Sequence, residues 1–357
     1  ELAANKFYII GVILIVFWSL TWLGLSGIKA SANFAGFCAL FGMILPMVFI
    51  IFLALIWILK GNPIAIDLSF KNLIPHWQDT QSWVSLTAIM TAFLGMELAA
   101  VHVRNIDNPQ RNYPKAMFYS SILILSTMIF GSLAIAFVLP QKEISLVDGV
   151  MKAFESFLSA YHLRWMAPVI AILLLIGSVG SMVNWIISPA KGLLLAADNG
   201  FLPHWLYKRN EHGVASRILI LQAILVTFLC TGFLLLPSIN AIYWLFTDLS
   251  TELYIMMYVM MFIAAWHLKG KYSSPINAFR IPGGKAGYYA TCTLGLIGCL
   301  LTLIVGFIPP EEAVDFGAAG QFRIIFSLGI ILMLLPAVLL YFWKVKHEHG
   351  KHSHEIK

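Results

Sequence analysis

Residues 32–59 read ANFAGFCALFGMILPMVFIIFLALIWIL, a run of apolar and small residues without a single charged side chain. About 20 such residues are enough for a helix to cross the hydrocarbon core of a bilayer. Because unpaired backbone groups are too costly in lipid, a run of this kind must be helical. It therefore predicts a membrane-spanning helix.

Eight further runs of the same character lie on either side of this one. They cover 7–24, 83–103, 117–139, 166–188, 217–236, 240–267, 288–308 and 322–343. The whole chain is 60% hydrophobic and only 11% charged, whereas soluble domains carry roughly 25% charged residues. The alternating ten-residue segments of barrel strands are not seen. The sequence thus predicts an all-α integral membrane protein with nine spans.

Lys and Arg residues are unequally divided between the two sets of connectors. With nine spans, 16 of the 23 fall on one side. The positive-inside rule makes this the cytoplasmic side of a plasma membrane, here taken as a bacterial inner membrane. The C-terminus is then cytoplasmic and the first residue lies outside. Since no signal sequence explains an outside start, we expect further spans upstream of Glu1.

Other functional classes find little support in the sequence. The net charge of +6 comes from basic residues scattered through short connectors, which argues against a nucleic-acid partner. No GxSxG, HExxH or Walker A motif indicates an enzyme. His102 lies at the end of a span beside Arg104, as interfacial residues do. No cofactor or metal is predicted.

The four cysteines lie in apolar runs without metal-ligand spacing and read as buried small side chains: Cys38, Cys230, Cys292 and Cys299.

Three acidic residues lie well inside the predicted spans, and the first of them is Glu97. Ionisable groups at membrane depth are costly and indicate functional sites. Gly95 precedes Glu97 and weakens the helix by roughly 1 kcal/mol relative to alanine. A helix broken here would free backbone groups to bind the charged ends of a substrate. The alternative is a packing glycine beside a buried, protonated glutamate.

The other two acidic residues, Asp248 and Glu252, are four positions apart and so share one helix face. Two interpretations are open. The carboxyl groups could share a proton and couple its movement to transport, or they could lie in an outward-facing vestibule where water solvates both.

A third pattern is a polar stripe in the run 166–188. Ser178, Ser181 and Asn184 repeat at spacings of three, accompanied by Gly177 and Gly180. Small residues in this arrangement allow close helix packing. The stripe could also line a cavity.

Two segments outside the runs have their own character. Residues 143–164 place seven apolar side chains on one helical face, which predicts an amphipathic helix on the outer surface: Val147, Val150, Met151, Phe154, Phe157, Leu158 and Tyr161. The tail 344–357 is polar and rich in histidine. It reads as a disordered, solvated tail, or as a pH-responsive gate because imidazole titrates near neutral pH.

Several short motifs together resemble one family. They are Phe93-Leu-Gly-Met-Glu97, Asn108-Pro-Gln-Arg111 with its continuation to Ala116, Ala197-Asp-Asn-Gly-Phe-Leu-Pro203, Asn210-Glu-His-Gly213 and Arg280-Ile-Pro-Gly-Gly284. The chain is identified by them as a member of the amino acid–polyamine–organocation superfamily. The stretch from Gly95 to Val103 is most similar to the glutamate/GABA antiporter branch.

The resemblance implies a twelve-span transporter of the LeuT type, with an inverted repeat of five plus five helices. The nine runs would be its fourth to twelfth spans. Residues 1–60 would then end the first repeat, 82–267 would form the second, 288–343 would add two spans, and 344–357 would be a cytoplasmic tail. The first three spans, which carry half of the family's substrate site, would be missing.

The resemblance also implies roles for residues. Phe93, Gly95 and Met96 would bind the substrate, and the polar stripe of Ser178, Ser181 and Asn184 could line its pathway. Glu97 would link gating to protons. Tyr243 and Trp244 would be outer-gate aromatics, next to the candidate proton-coupling pair Asp248 and Glu252.

The function that follows is secondary active transport of an amino acid, by antiport or proton coupling, with glutamate/GABA exchange as the family-weighted substrate pair. The partners are then the amino acid, protons and the lipid bilayer. A second hypothesis from another class is a membrane sensor or scaffold that derives from such a transporter and no longer transports.

Overall fold

The computed structural model describes residues 5–69, 80–140, 149–232, 239–271, 279–308 and 319–355. Within these ranges the chain is helical and contains no strand. The α-helices in chain order are α1 (Lys6–Leu25), α2 (Ile28–Ala39), α3 (Leu45–Leu59), α4 (Thr80–Ala92), α5 (Pro109–Val138), α6 (Gly149–Ala160), α7 (Ala167–Asp198), α8 (Ser216–Gly232), α9 (Ile239–Lys271), α10 (Gly284–Val305) and α11 (Ala319–Glu355).

Seven segments of the described chain are long and apolar enough to cross a membrane. They match seven of the nine predicted spans. The other two runs form shorter apolar helices, Ile89–Val103 and Ser216–Thr231. By helix length, the described residues therefore support seven of the nine predicted spans. The first of these two runs contains the interruption at Gly95, where α4 is followed by a turn and a 3-10 helix. The second belongs to α8, which is described only as far as Gly232.

Helix α7 packs very closely against α2 and the turn that follows it, and two pairs of residues are in contact there. We call this contact the seam. A Cβ on Gly177 would overlap the backbone of Gly42, and a Cβ on Gly180 would overlap the side chain of Cys38. Gly42 lies in a π-helical turn, Leu40–Ile44, that joins α2 to α3. Small residues at these positions let the two backbones meet, as in other membrane helix pairs.

The four cysteines are all buried and free, as their apolar surroundings in the sequence predict. The predicted amphipathic segment, 143–164, contains α6 in its central part. Phe154, Phe157 and Leu158 are buried, in a cluster that includes residues of α3, α5 and α7. Two details differ. Val150 is 41% exposed, against the prediction, and Val147 lies outside the described residues.

The connector motifs adopt defined conformations. Asn108 has a positive φ of 47° directly before α5, and the side-chain oxygen of Gln110 accepts a hydrogen bond from the backbone N–H of Phe279 at 3.1 Å. The Asn-Pro-Gln-Arg motif is therefore in contact with the segment that begins the Arg-Ile-Pro-Gly-Gly motif. Asn210 donates from its amide to the Leu25 carbonyl at 2.6 Å and so fixes its loop to the end of α1.

The polar C-terminal segment differs from the disordered tail predicted for it. Helix α11 continues without a break to Glu355. Where the polar part begins, the Lys344 ammonium lies 3.3 Å from the centre of the Phe201 ring. This places the start of the segment against the loop that follows α7.

Candidate substrate site

The site begins at the interruption of the helix that the sequence places over 83–103. Helix α4 ends at Ala92, three turn residues follow, and a 3-10 helix runs over Met96–Asn105. Gly95 has a φ of 90°, in the left-handed region that only glycine adopts at little cost. The break that Gly95 and Glu97 predict is therefore present, and a continuous helix with a packing glycine is not.

A tryptophan of α7 covers the break. A Cβ built on Gly95 would lie 3.1 Å from two ring carbons of Trp185. The Trp185 ring meets Tyr254 edge-on, with centroids 5.5 Å apart, and Tyr254 meets Tyr258 in the same manner at 6.4 Å. Three aromatic rings from α7 and α9 thus form a row beside the interrupted backbone.

Glu97 is tied to the end of this row. The Tyr258 hydroxyl donates to Oε2 of Glu97, while Oε1 is buried and has no hydrogen-bond partner within the described chain. A half-buried carboxyl group with one free oxygen can accept a proton or an ammonium group. The contact also links the 3-10 segment after the break to α9.

A cavity of about 680 Å³ adjoins the break, within the size range of small-molecule sites. Between α4 and α9, the Thr91 and Thr251 hydroxyls lie 2.9 Å apart in its wall. No charged side chain lines it among the described residues. Its lining comes from α1, α4, α7, α8 and α9, with Leu94 from the turn: Ile9, Ile13, Thr91, Leu94, Trp185, Val226, Leu229, Cys230, Tyr243, Phe246, Thr247, Ser250, Thr251 and Tyr254.

The site residues that the sequence predicts around the break do not all line the cavity. Tyr243 lines the cavity, and Gly95 contacts its wall through Trp185. Phe93 lies in the turn but is not among the lining residues. Met96 is directed to α5, where its sulfur accepts from the Ser121 hydroxyl at 3.9 Å. Trp244 belongs to α9, and its side chain lies outside the described residues.

The polar stripe of α7 is not part of this cavity. Ser178 and Ser181 line a second cavity of about 370 Å³, together with residues of α3 and α6. The Ser178 hydroxyl donates to the carbonyl of Leu174 in its own helix at 3.0 Å. Asn184 is exposed. The structure therefore does not bring these three side chains together with Gly95 and Met96.

Asp248 and Glu252 are buried, with 7% and 0% of their surface exposed. A solvated vestibule is therefore wrong for this pair. Gly306, at the end of α10, lies against the Glu252 carboxyl group, and Gly329 of α11 lies against Leu249 between the two acids. The pair faces α10 and α11 rather than the cavity.

Several residues of the site escape the sequence analysis, among them Trp185, Thr251, Tyr254 and Tyr258. The signal for three of them is present, because Thr247, Thr251, Tyr254 and Tyr258 repeat at helical spacing and so share one face of α9. Trp185 carries no such signal. Among the described residues no group of three or more His, Cys, Asp or Glu side chains is arranged to hold a metal ion.

Several known proteins are similar to this chain in sequence. Residues 1–342 match the family described as amino acid permease. An uncharacterised transporter of Legionella pneumophila is 40% identical over 87% of this chain and 67% of its own. Two glutamate/gamma-aminobutyrate antiporters of Lactococcus lactis strains are 28% and 30% identical, over 96% and 92% of this chain and 68% and 66% of theirs. The chain thus spans about two thirds of the length of these relatives. It belongs to the amino acid permease family, within the amino acid–polyamine–organocation superfamily of secondary transporters.

Proposed function

We propose that the protein moves an amino acid across the membrane by alternating access at the Gly95 break, by exchange of the glutamate/GABA type. The observation that carries the proposal is the interrupted helix, which lies against Trp185 beside a cavity large enough for an amino acid. Broken helices at membrane depth are how transporters of this kind offer backbone groups to a substrate.

The site suggests a role for each group. Backbone groups near Gly95 bind one charged end of the substrate, and Glu97, held by Tyr258, receives its ammonium group or a proton. Trp185 and Tyr254 enclose the aliphatic part, and Tyr243 closes the cavity at the opposite end of its α9 wall. Phe93 and Met96 position the break from the turn and from the α5 side.

The chemistry of the cavity supports a particular class of substrate. Its described lining holds hydroxyl groups of Thr91, Thr247, Ser250 and Thr251 but no charged side chain. A buried charge without a partner is strongly disfavoured, so the described lining suits a neutral zwitterion better than an amino acid whose side chain carries a charge of either sign. The named activities of the two Lactococcus lactis relatives fit a neutral or acidic substrate.

The proposal extends to the architecture. The fold is of the LeuT type, with nine of twelve helices in this chain: 1–60 ends the first repeat, 82–267 is the second, and 288–343 contributes the last two spans. Glu97 links substrate binding to gating, and the movement of protons is coupled to transport. The C-terminal segment is cytoplasmic, and the membrane is a bacterial plasma membrane.

The test is uptake by the full-length gene product in proteoliposomes, using a panel that includes glutamate, GABA and arginine. Exchange of preloaded against external amino acid is expected for a neutral or acidic member and not for arginine. Absence of flux for every amino acid would refute the proposal.

The sensor or scaffold hypothesis is not favoured. The relatives described above are all named as transporters or antiporters, and the cavity beside the break has the size of a small-molecule site. Binding of an amino acid without any translocation in the same proteoliposomes would revive it.

A further inference from the structure

Helix α9 has a second polar face, which the substrate site does not use. Asp248 and Glu252 lie one turn apart on it, with 7% and 0% of their surface exposed. Both carboxyl oxygens of Glu252 are buried and have no hydrogen-bond partner in the described chain. A fully buried carboxyl group without a donor is rare in proteins and calls for a ligand.

The helices packed against α9 supply no positive charge to the pair. Within the described residues, α4 carries no titratable side chain, and on α10 the one closest in sequence to Gly306 is the Cys299 thiol. On α11, Arg323 is exposed and directed away from the buried neighbours Phe322 and Phe326. The Thr302 hydroxyl is buried but donates to its own helix, to the carbonyl of Gly298 at 2.9 Å.

The contact with Gly306 restricts what the ligand can be. The Cα hydrogen of Gly306 that a side chain would replace points at Oε1 of Glu252. At this contact the carboxyl group therefore meets a C–H group and not an oxygen atom. A metal ion would need several oxygen ligands around it. A proton needs only the carboxyl oxygens themselves, and it removes the charge that burial disfavours.

We propose that Asp248 and Glu252 form a proton-binding site at the contact of α9 with α10, behind the substrate cavity and separate from Glu97. The inference rests on the proposed function and adds to it the place where the coupled proton is carried. The proton arrives from the outer solution, resides on a Glu252 oxygen or is shared with Asp248, and leaves to the cytoplasm.

The geometry joins this site to the substrate cavity. Thr251, next to Glu252 in sequence, lines the cavity, and its hydroxyl lies 2.9 Å from that of Thr91 on α4. One turn before Thr91, the Thr87 hydroxyl is buried and unpartnered in the described chain. Loss of the proton would leave an unpaired charge against Gly306, which favours separation of α9 from α10. The wall of the cavity would move with α9.

The experiment compares the full-length protein with Glu252→Gln and Asp248→Asn in proteoliposomes, with Glu155→Gln as the control that removes an exposed carboxylate on α6. Exchange at equal pH on both sides and uptake under an inward proton gradient are measured separately. We expect both variants to exchange substrate, while the ratio of uptake with and without the gradient falls to about one. Glu155→Gln should keep the wild-type ratio.

A second measurement does not depend on transport. Infrared spectra of the detergent-solubilised protein should contain the carbonyl band of a protonated carboxylic acid at neutral pH, lost in Glu252→Gln and kept in Glu155→Gln. Size-exclusion chromatography identifies variants that fail to fold. Where Glu252→Gln does not fold, Asp248→Asn is read in its place.

The outcomes separate the two proposals. Exchange by the wild type with an unchanged gradient response in Glu252→Gln overturns the proton site alone, as does a dependence on Na⁺ in place of protons. A wild type that transports no amino acid refutes the proposed function, and the infrared band then decides whether the pair holds a proton. A wild-type spectrum without that band overturns the proton site.

Discussion

Glycines act in opposite ways in two regions of this protein. At the seam, Gly42 of the π-helical turn and Gly177 of α7 bring two backbones together. At the break, Gly95 adopts a φ of 90° and ends a helix inside the apolar region. The seam uses the space that is left because glycine has no side chain. The break uses the backbone freedom that this absence gives to glycine. One closes a helix contact, whereas the other interrupts a helix beside the cavity.

The largest effect is expected at the seam. In Gly177→Ala the new Cβ overlaps the Gly42 backbone, which has no flexible end to move aside. We expect a loss of about 3 kcal/mol or more of stability, or no folded protein. Thermal unfolding in detergent measures it. Gly36→Ala on α2 is the control, since nothing lies within 4 Å of its added Cβ. Equal stability of the two variants would contradict the close contact.

Substitution at the break should affect transport more than folding. Gly95→Ala places a side chain at a left-handed φ, at a cost of about 1–2 kcal/mol, and displaces Trp185. We expect the protein to fold but to lose about 10- to 100-fold in exchange rate, because small displacements in a site have large effects. Gly192→Ala is the matched control. Gly192 lies on α7 against the 3-10 helix, and its added Cβ would meet Val101 at an ordinary 3.6 Å. Wild-type exchange in Gly95→Ala would mean that the break is dispensable.

The link that holds the break to α9 can be tested by Tyr258→Phe. The variant keeps the ring and removes the hydroxyl that donates to Glu97. Hydrogen bonds to charged groups contribute about 1.5–3 kcal/mol, so we expect about a tenfold lower exchange rate. Tyr254→Phe removes a hydroxyl that is not bonded to Glu97 and should have a smaller effect. If Tyr254→Phe were the more damaging variant, Glu97 would not depend on Tyr258.

The smallest effect is expected from the polar stripe beside the seam. Ser178→Ala removes an exposed hydroxyl that bonds to its own helix, and such changes usually stay within about 0.5 kcal/mol. Exchange should fall less than twofold in the proteoliposome assay. A much larger loss would make the second cavity part of the transport pathway and weaken the distinction between the two regions.

The sequence determined the class of the protein, since long apolar runs in a chain with 11% charged residues have no stable alternative to membrane helices. It also determined the break, because Gly95 beside Glu97 is a local feature of one segment. The family motifs are likewise local and could be read directly.

Only the tertiary structure decided which side chains meet. Tyr258 reaches Glu97 across 161 positions of sequence, and the rotation of α7 directs Trp185 to the break but Ser178 and Ser181 to another cavity. The burial of Asp248 and Glu252 depends on Gly306 and α11. Hydrophobic periodicity shows that a residue is in a membrane helix, but in a helix that is apolar all round it does not show which neighbour each face will contact. Which neighbour a face contacts depends on close packing between helices that are distant in sequence. In this protein, that packing places one polar face of α9 at the cavity and the other against α10.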